Sequence, residues 1–303
     1  MTPPSVASSP HDAATINGEQ PLLVLRIDDL MARLQALRSV VIAFSGGADS
    51  AFLLTAAVRA LGTEHVVAAT AVSPSLPADE LASARAFASD LGVRHETPST
   101  HEMQREGYRA NTGDRCYFCK AELVDVLLPL LSALGLGAVA TGTNADDARA
   151  GFRPGIRAAA ERGAVTPLLD AGLTKEQVRA ASRAWGLPTW DKPAAACLSS
   201  RIAYGIQVTP RRLARVERAE VALRRLLAEH ELSCDNLRVR DLGEFARVEL
   251  DLAVVEQVQS SESLMSEVVA AVRAAGFATV LVDQNGFRSG SMNELLADPE
   301  RFR

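Results

Sequence analysis

Long apolar runs are absent from this sequence of 303 residues, and no stretch reaches the roughly 18 consecutive apolar residues that a membrane-spanning helix needs. The first 20 residues also lack the apolar segment of a secretory signal and are instead rich in Pro, Ser and Ala. We therefore expect residues 1–20 to form a disordered tail and the protein to be cytoplasmic, without membrane contact.

Positive charge and cysteine are also scarce. Lysine and arginine number 32 against 37 aspartates and glutamates, so the net charge is −5, which argues against a nucleic-acid substrate. Only four cysteines occur, and without a secretory signal we expect reduced thiols that are available for metal or sulfur chemistry. Hydrophobic residues make up 48% and charged residues 23%, proportions that are ordinary for a globular protein.

The most informative stretch is a Ser-Gly-Gly turn at residues 45–47. An apolar run predicts a buried strand before it, and Ala51 to Ala60 predicts a helix after it. Glycines let the backbone approach an anion, and the start of a helix adds partial positive charge. The pattern therefore predicts a phosphate site, with a plain glycine turn as the alternative. The candidate ligands are Ser45, Gly46, Gly47 and Ser50 for phosphate and Asp49 for a metal ion on the phosphates.

Strands alternate with helices as far as about residue 203. The predicted strands cover residues 40–44, 66–72, 93–97 and 138–141. Their alternation with helices indicates parallel βαβ units in a doubly wound α/β sheet, and we expect residues 21–203 to form this domain. Ligands of such sheets bind at the carboxyl ends of the strands, where the glycine turn lies.

From residue 204 the pattern changes. A basic helix at 210–229 and half-exposed strands after it predict a smaller α+β domain over residues 204–303. Within this domain Arg238, Arg240 and Arg288 are candidates for an anion site. A surface turn around the last of these arginines is the alternative.

The fourth predicted strand runs into a Gly-Thr-Asn sequence followed by two carboxylates. Thr143 and Asn144 are expected to meet a nucleotide that is bound at the neighbouring strand end. Asp146 or Asp147 is a candidate ligand for Mg²⁺, which would offset phosphate charge. The alternative is an Asx turn that caps a helix.

Two stretches contain cysteines with a possible function. Cys116 and Cys119 form a lone C-x-x-C motif, which is a weak sign of zinc because structural zinc usually needs two pairs; a thioredoxin-like dithiol is equally open. Cys197 lies in a predicted loop at 190–202, where a flanking lysine and arginine favour a nucleophilic thiolate. A buried structural cysteine is the alternative. Cys234 lacks such neighbours and is expected to be inert.

Taken together, these motifs resemble the LarE family of sulfur transferases, over about residues 30 to 295. The string S-G-G-A-D-S is shared by all PP-loop enzymes, the N-type ATP pyrophosphatases, which split ATP into AMP and pyrophosphate. R-C-Y-F-C-K and G-T-N-A-D-D add to the resemblance. The cysteine loop, D-K-P-A-A-A-C-L-S-S-R-I, and the closing motif, G-F-R-S-G-S-M-N, are far more specific.

The resemblance implies an enzyme of nickel-pincer nucleotide biosynthesis, the pathway to the cofactor of lactate racemase. With ATP and Mg²⁺, it would adenylate a carboxylate of pyridinium-3,5-biscarboxylic acid mononucleotide and convert it to a thiocarboxylate, releasing AMP. Ser200 and Arg201 would orient this substrate beside Cys197. The resemblance also implies other proteins of the same pathway as partners, and a homo-oligomer, a hexamer in family members.

The family resemblance implies two possible sulfur sources. Some members sacrifice the cysteine of the A-C-L-S-S-R loop, whose Cβ–S bond breaks to leave dehydroalanine. Others carry three cysteines that hold a [4Fe–4S] cluster able to donate an extra sulfide. Cys116, Cys119 and Cys197 match the three-cysteine pattern, so the resemblance implies that Cys197 is a cluster ligand and not a consumed donor.

Other functions are compatible with parts of the sequence. A PP-loop tRNA thiouridine synthase shares the use of ATP and a C-x-x-C motif, but the net charge and the lack of an RNA-binding appendage argue against it. An amide-forming synthetase would leave the cysteine loop unexplained. A nucleotide-binding regulator without ATP turnover would leave the intact S-G-G-x-D-S motif unexplained.

Overall fold

The computed structural model describes residues 21–149, 153–193 and 196–292. The predicted tail at residues 1–20 and Asn293 of the closing motif lie outside these ranges. Among the described helices, none is both long and apolar enough to cross a membrane.

The described residues form two sheets with helices around them. The strands are β1 (Val40–Ala43), β2 (Val66–Ala69), β3 (Arg94–Glu96), β4 (Ala138–Thr141), β5 (Arg238–Asp241), β6 (Phe245–Glu249) and β7 (Thr279–Val282). The helices are α1 (Pro21–Leu37), α2 (Ala48–Leu61), α3 (Ala78–Asp90), α4 (Glu106–Arg109), α5 (Arg115–Leu134), α6 (Ala145–Arg149), α7 (Pro154–Ala160), α8 (Pro167–Asp170), α9 (Lys175–Ala184), α10 (Pro210–Glu229), α11 (Leu252–Ser260) and α12 (Glu262–Ala274).

The first sheet has the strand order β3-β2-β1-β4, and all its pairs are parallel. Helices cover both faces, because Val40 and Ile42 of β1 point into one apolar cluster while Val41 and Ala43 point into another. The predicted doubly wound α/β fold is therefore confirmed. The chain leaves β1 toward β2 on one side and returns to β4 on the other, which makes the carboxyl end of β1 a switch point where ligands bind.

The second sheet is smaller and mixed. Strand β5 pairs antiparallel with β6, and β6 pairs parallel with β7. Helices α10 and α12 pack around this sheet, and the shared core also takes in Tyr108, Leu198 and Ile202 from the earlier part of the chain. The predicted domain boundary after residue 203 stays a prediction.

Several element ends differ from those predicted. Helix α2 begins at Ala48, three residues before the predicted start, because Gly47 is already in the extended conformation of a helix N-cap. Asp49 and Ser50 therefore lie on the first turn of a rigid helix and not in the loop. Helix α5 begins at Arg115, two residues before its predicted start at Tyr117, so that Cys116 joins Cys119 in its first turns. Helix α11 and the short helices α4, α7 and α8 were not predicted.

Candidate active site

A pocket of about 320 Å³ lies at the carboxyl ends of β1, β2 and β4. Most of the predicted nucleotide ligands line it, from the glycine turn and from the end of β4. They are Ser45, Gly47, Asp49, Ser50, Thr143 and Asp147. Gly46 and Asn144 do not line the pocket. Gly46 forms the turn beside it, and the side chain of Asn144 binds the backbone after β4. The switch point of the sheet and the predicted phosphate turn thus coincide.

The glycine turn has the geometry of an anion cradle. Gly46 has a φ of 72°, a left-handed conformation that favours glycine. Ser50 Oγ donates to the Gly47 carbonyl at 3.1 Å and lies 3.1 Å from Ser45 Oγ, so the two hydroxyls and the turn hold one another. The N–H groups of the first turn of α2 have no carbonyl partner within the helix, and with the helix dipole they attract an anion.

Gly142, the residue directly after β4, lies where a side chain would not fit. A Cβ atom added there would lie 2.9 Å from the backbone nitrogen of Ser50. Only glycine lets the end of β4 pack this closely against the start of α2. The close approach brings Thr143 and Asp147 to the same pocket as the turn.

Asp49 has the features of a metal ligand in the pocket. Its Oδ2 accepts a hydrogen bond from the ammonium of Lys175, and its Oδ1 is buried without a hydrogen-bond partner among the described residues. A buried carboxylate oxygen without a partner is costly, and a hard cation such as Mg²⁺ would satisfy it. No local pattern in the sequence singles out Lys175, which is 126 positions from Asp49 in the chain.

The Gly-Thr-Asn segment contains the Asx turn that was the alternative to a metal site. Asn144 Oδ1 accepts from the backbone N–H groups of Asp146 and Asp147, at 3.0 and 3.1 Å. Asp146 Oδ2 accepts in turn from the backbone of Lys175 at 2.7 Å, so this carboxylate joins two helices. Asp147 is the one of the two that lines the pocket, and Arg153 is 3.7 Å from it.

Three of the four free cysteines come close to one another. Cys116 and Cys119 share one face of α5, and Cys197 is the residue before a 3-10 turn at Leu198–Arg201. Burial raises the pKa of the Cys119 thiol well above its usual range, and Cys197 raises it further. The pKa of Cys116 is raised as well, mainly by desolvation. Arg115 acts to lower this pKa, and Cys197 acts to raise it. The electrostatic coupling joins residues about 80 positions apart in the chain.

The described side chains, however, do not form a ready metal site. No group of three or more His, Cys, Asp or Glu residues in the described ranges is arranged to hold a metal ion. The predicted [4Fe–4S] cluster therefore stays a prediction.

Two buried residues that the sequence did not single out hold the segment after Cys197. Arg115 donates to Asn111 and, at 2.8 Å, to the carbonyl of Ser199. The hydroxyl of Tyr108 lies 2.6 Å from that of Ser199. Burial lowers the pKa of Arg115, but the thiols of Cys197 and its neighbours outweigh this and raise it. An arginine directly before a C-x-x-C motif was the only sequence signal for this role.

The cysteine segment is also attached to the wall of the pocket. The backbone N–H of Leu198 donates to the carbonyl of Ser75 at 2.9 Å, and the next residue, Leu76, lines the pocket. Lys120 lines the pocket from the other side, one helical turn after Cys116. Burial lowers the pKa of this lysine, and the thiols of Cys119 and Cys116 oppose the shift. The pocket and the cysteines therefore adjoin.

The side chains of Ser200 and Arg201 form hydrogen bonds with other groups of the protein. Arg201 is buried and binds both oxygens of Glu220, at 2.9 and 3.2 Å, while it also donates to the carbonyls of Ala196 and Cys197. Ser200 Oγ donates to the Cys197 carbonyl at 2.7 Å. These contacts hold the cysteine segment; contact of either residue with substrate stays a prediction.

Of the three arginines predicted to bind an anion, Arg238 and Arg240 lie in β5, and Arg288 follows β7. Arg240 is bound to Glu249 at 2.7 Å, and the guanidinium of Arg238 lies 5.4 Å from the ring centre of Phe287. Arg288 is exposed. Burial, together with nearby arginines, lowers the pKa of Arg238 to about 10. An excess of buried positive charge supports an anion here, which stays a prediction.

The parallel sheet with its glycine turn places the chain among the PP-loop proteins, an ATP-using class. The NAD synthase family matches residues 23–114, which include the turn. An uncharacterized protein of Synechocystis is 43% identical over 275 residues, 91% of this chain and 99% of that protein.

A second relative is the pyridinium-3,5-bisthiocarboxylic acid mononucleotide synthase of Lactiplantibacillus plantarum. It is 33% identical over 267 residues, which are 88% of this chain and 93% of that protein. The chain therefore belongs to the family of this synthase, the LarE family.

Proposed function

We propose that the protein adenylates a carboxylate of pyridinium-3,5-biscarboxylic acid mononucleotide with ATP and converts it to a thiocarboxylate. The observation that carries the proposal is the hydrogen bond from Leu198 to Ser75, because it joins the segment of Cys197 to the wall of the phosphate-binding pocket. A site that only cleaved ATP would have no use for a cysteine beside the pocket. The name of the Lactiplantibacillus relative supports the choice of substrate.

The first step makes a poor electrophile reactive. The substrate carboxylate attacks the α-phosphorus of ATP, an acyl–AMP bond forms, and pyrophosphate leaves. Ser45, Gly47 and Ser50 hold the pyrophosphate portion with N–H and hydroxyl donors, in the turn that Gly46 allows. Thr143 borders the nucleotide, next to the Asx turn of Asn144. Asp49 and Asp147 would hold Mg²⁺, which neutralises phosphate charge when it is bound.

The second step replaces AMP by sulfur. A sulfur nucleophile attacks the acyl carbon, the C–O bond to AMP breaks, and the phosphate of AMP takes the electron pair. Ser200 and Arg201 hold the backbone around Cys197 and would orient the substrate there. Lys120 lies between the pocket and the thiols, where its positive charge attracts the acyl phosphate.

We further propose that Cys116, Cys119 and Cys197 hold a [4Fe–4S] cluster. The electrostatic influence of Cys197 on the other two thiols supports this, because it requires the three to lie near one another. Arg115 also partly offsets the rise that burial causes in the pKa of Cys116, and so favours the thiolate that binds iron. When bound, the cluster would supply sulfide, which spares Cys197 from being consumed. Arg238, Arg240 and Arg288 would take the substrate's phosphate. A homo-oligomer and partners from the same pathway are part of the proposal.

The function is tested by incubating the purified protein with ATP, Mg²⁺ and the biscarboxylate mononucleotide. We expect AMP and pyrophosphate in equal amounts and a product in which sulfur replaces one carboxylate oxygen, as detected by mass spectrometry. Nicotinate mononucleotide, which has one carboxylate on its ring, is the control substrate. Pyrophosphate release without any sulfur-containing product would contradict the proposal.

The cluster is tested by anaerobic reconstitution with iron and sulfide. We expect a visible charge-transfer absorption that Cys116→Ala removes and Cys234→Ala retains, because the groups that act on Cys234 are Asp251 and Asn236 and not the three thiols. Iron and acid-labile sulfide are measured in parallel. The sacrificial route is correct instead if the protein works without iron and Cys197 becomes about 34 mass units lighter through loss of H₂S.

A further inference from the structure

Lys192 belongs to the cysteine segment, the predicted loop at residues 190–202, and reaches back to the phosphate-binding turn. Its ammonium donates to the carbonyl of Gly46 at 3.1 Å and to Glu80 Oε2 at 2.7 Å. The two bonded residues are 146 and 112 positions away in the chain. Only about a fifth of the lysine side chain is exposed, with 22% for Lys192 and 24% for Glu80. A half-buried ion pair of this kind holds its geometry better than a pair on the open surface.

The bonded carbonyl belongs to the peptide that joins the two glycines of the turn. In a trans peptide the C=O and the following N–H point in opposite directions. A carbonyl of Gly46 that is held by Lys192 therefore directs the N–H of Gly47 to the opposite side. That side is the pocket, because Gly47 N lies 3.4 Å from Ser45 Oγ and both residues line the pocket.

The long contact to Ser45 leaves the N–H of Gly47 available to an anion. Without Lys192 only the long contact to Ser45 Oγ would hold this peptide, and Gly46, which has no side chain and a φ of 72°, allows the backbone to rotate. Helix α3 packs closely against Gly46: a Cβ atom at Gly46 would lie 3.4 Å from Ala84 Cβ. A rotated peptide would turn its carbonyl oxygen toward the phosphate and repel it.

We propose that Lys192 is a positioning residue of the ATP site: it holds the Gly46–Gly47 peptide with its N–H toward the pyrophosphate portion of ATP. Glu80 holds the ammonium of Lys192 in place. This inference rests on the proposed use of ATP, and it adds a residue from the cysteine segment to the cradle. It also means that the segment carrying Cys197 contributes to nucleotide binding.

The test measures binding to the full-length protein in the presence of Mg²⁺ by calorimetry. The ligands are pyrophosphate, AMP and the α,β-methylene analogue of ATP, which cannot be cleaved between its α- and β-phosphates. We expect Lys192→Met to bind pyrophosphate and the ATP analogue about tenfold more weakly, with AMP unchanged, because only the first two place a phosphate at Gly47. Lys192→Arg should restore most of the affinity, since it can make both hydrogen bonds.

Arg225→Met is the matched control, because it also removes a cation from an ion pair, but from an exposed pair with Glu229. It should leave all three affinities unchanged. The inference is overturned if Lys192→Met keeps its affinity for pyrophosphate, or if AMP binding falls equally, which would indicate general damage to the pocket. If the wild-type protein binds neither pyrophosphate nor the ATP analogue, the proposed function itself fails.

Discussion

Cys197→Ser is expected to abolish thiocarboxylate formation while the substrate-dependent cleavage of ATP to AMP continues. Adenylation needs the phosphate cradle and Asp49, which are unchanged, whereas sulfur transfer needs the thiol both in the sacrificial and in the cluster-bound route. We expect the thiocarboxylate yield to fall by at least ~10²-fold. Pyrophosphate release and product mass are measured in the same reaction.

Cys234→Ser is the matched control for this variant. Its thiol is half-buried near Asp251, away from the pocket, and burial raises its pKa. Its replacement should leave both steps intact. Thiocarboxylate formation by Cys197→Ser at the wild-type rate would exclude Cys197 from sulfur transfer. Loss of both steps would show that Cys197 is needed for the ATP site as well, and not for sulfur transfer alone.

Asp49→Asn is expected to slow the cleavage of ATP by on the order of 10²-fold and to raise the Mg²⁺ concentration needed for half-maximal rate. Asparagine has nearly the shape of aspartate and can still accept from Lys175, so the fold of the turn should persist. What it loses is the negative charge at the buried Oδ1, which has no hydrogen-bond partner among the described residues. Pyrophosphate release over a Mg²⁺ titration measures the effect.

The control is Asp29→Asn, which removes a carboxylate from an exposed pair with Arg33 on the helix α1. Such surface pairs contribute at most about 1 kcal/mol, so catalysis should not change. A Mg²⁺ dependence that is identical in Asp49→Asn and wild type would contradict the assignment of Asp49 as a metal ligand. In that case Lys175 would be the sole partner of this carboxylate.

The sequence was most informative where a feature is local. The strand, glycine turn and helix around residues 40–61 lie within one short stretch, so their apolar pattern and glycines were sufficient to predict a phosphate turn. The three-residue spacing of Thr174 and Gln177 predicts a capping box, and both of its hydrogen bonds form, because the two residues are near neighbours in the chain. The Asx turn at Asn144 was correctly kept as an alternative for the same reason.

Helix starts were less accurate, and this affected the site. The pattern of apolar residues after Gly47 indicated a helix from Ala51, but an extended Gly47 acts as N-cap and starts the helix earlier. Apolar periodicity does not register the first turn of a helix, which here is occupied by polar site residues. The same kind of difference placed Cys116 in α5, whose predicted start at Tyr117 includes only Cys119 of the motif.

The sequence by itself determined the class of protein: a parallel α/β fold with a phosphate turn and three cysteines in recognisable motifs. Only the tertiary structure decided which side chains meet. Lys175 reaches Asp49 across 126 positions, and Lys192 reaches Gly46 across 146. Such contacts depend on how helices and loops pack on the sheet, since a hydrogen bond requires about 3 Å between atoms and no local pattern records that distance.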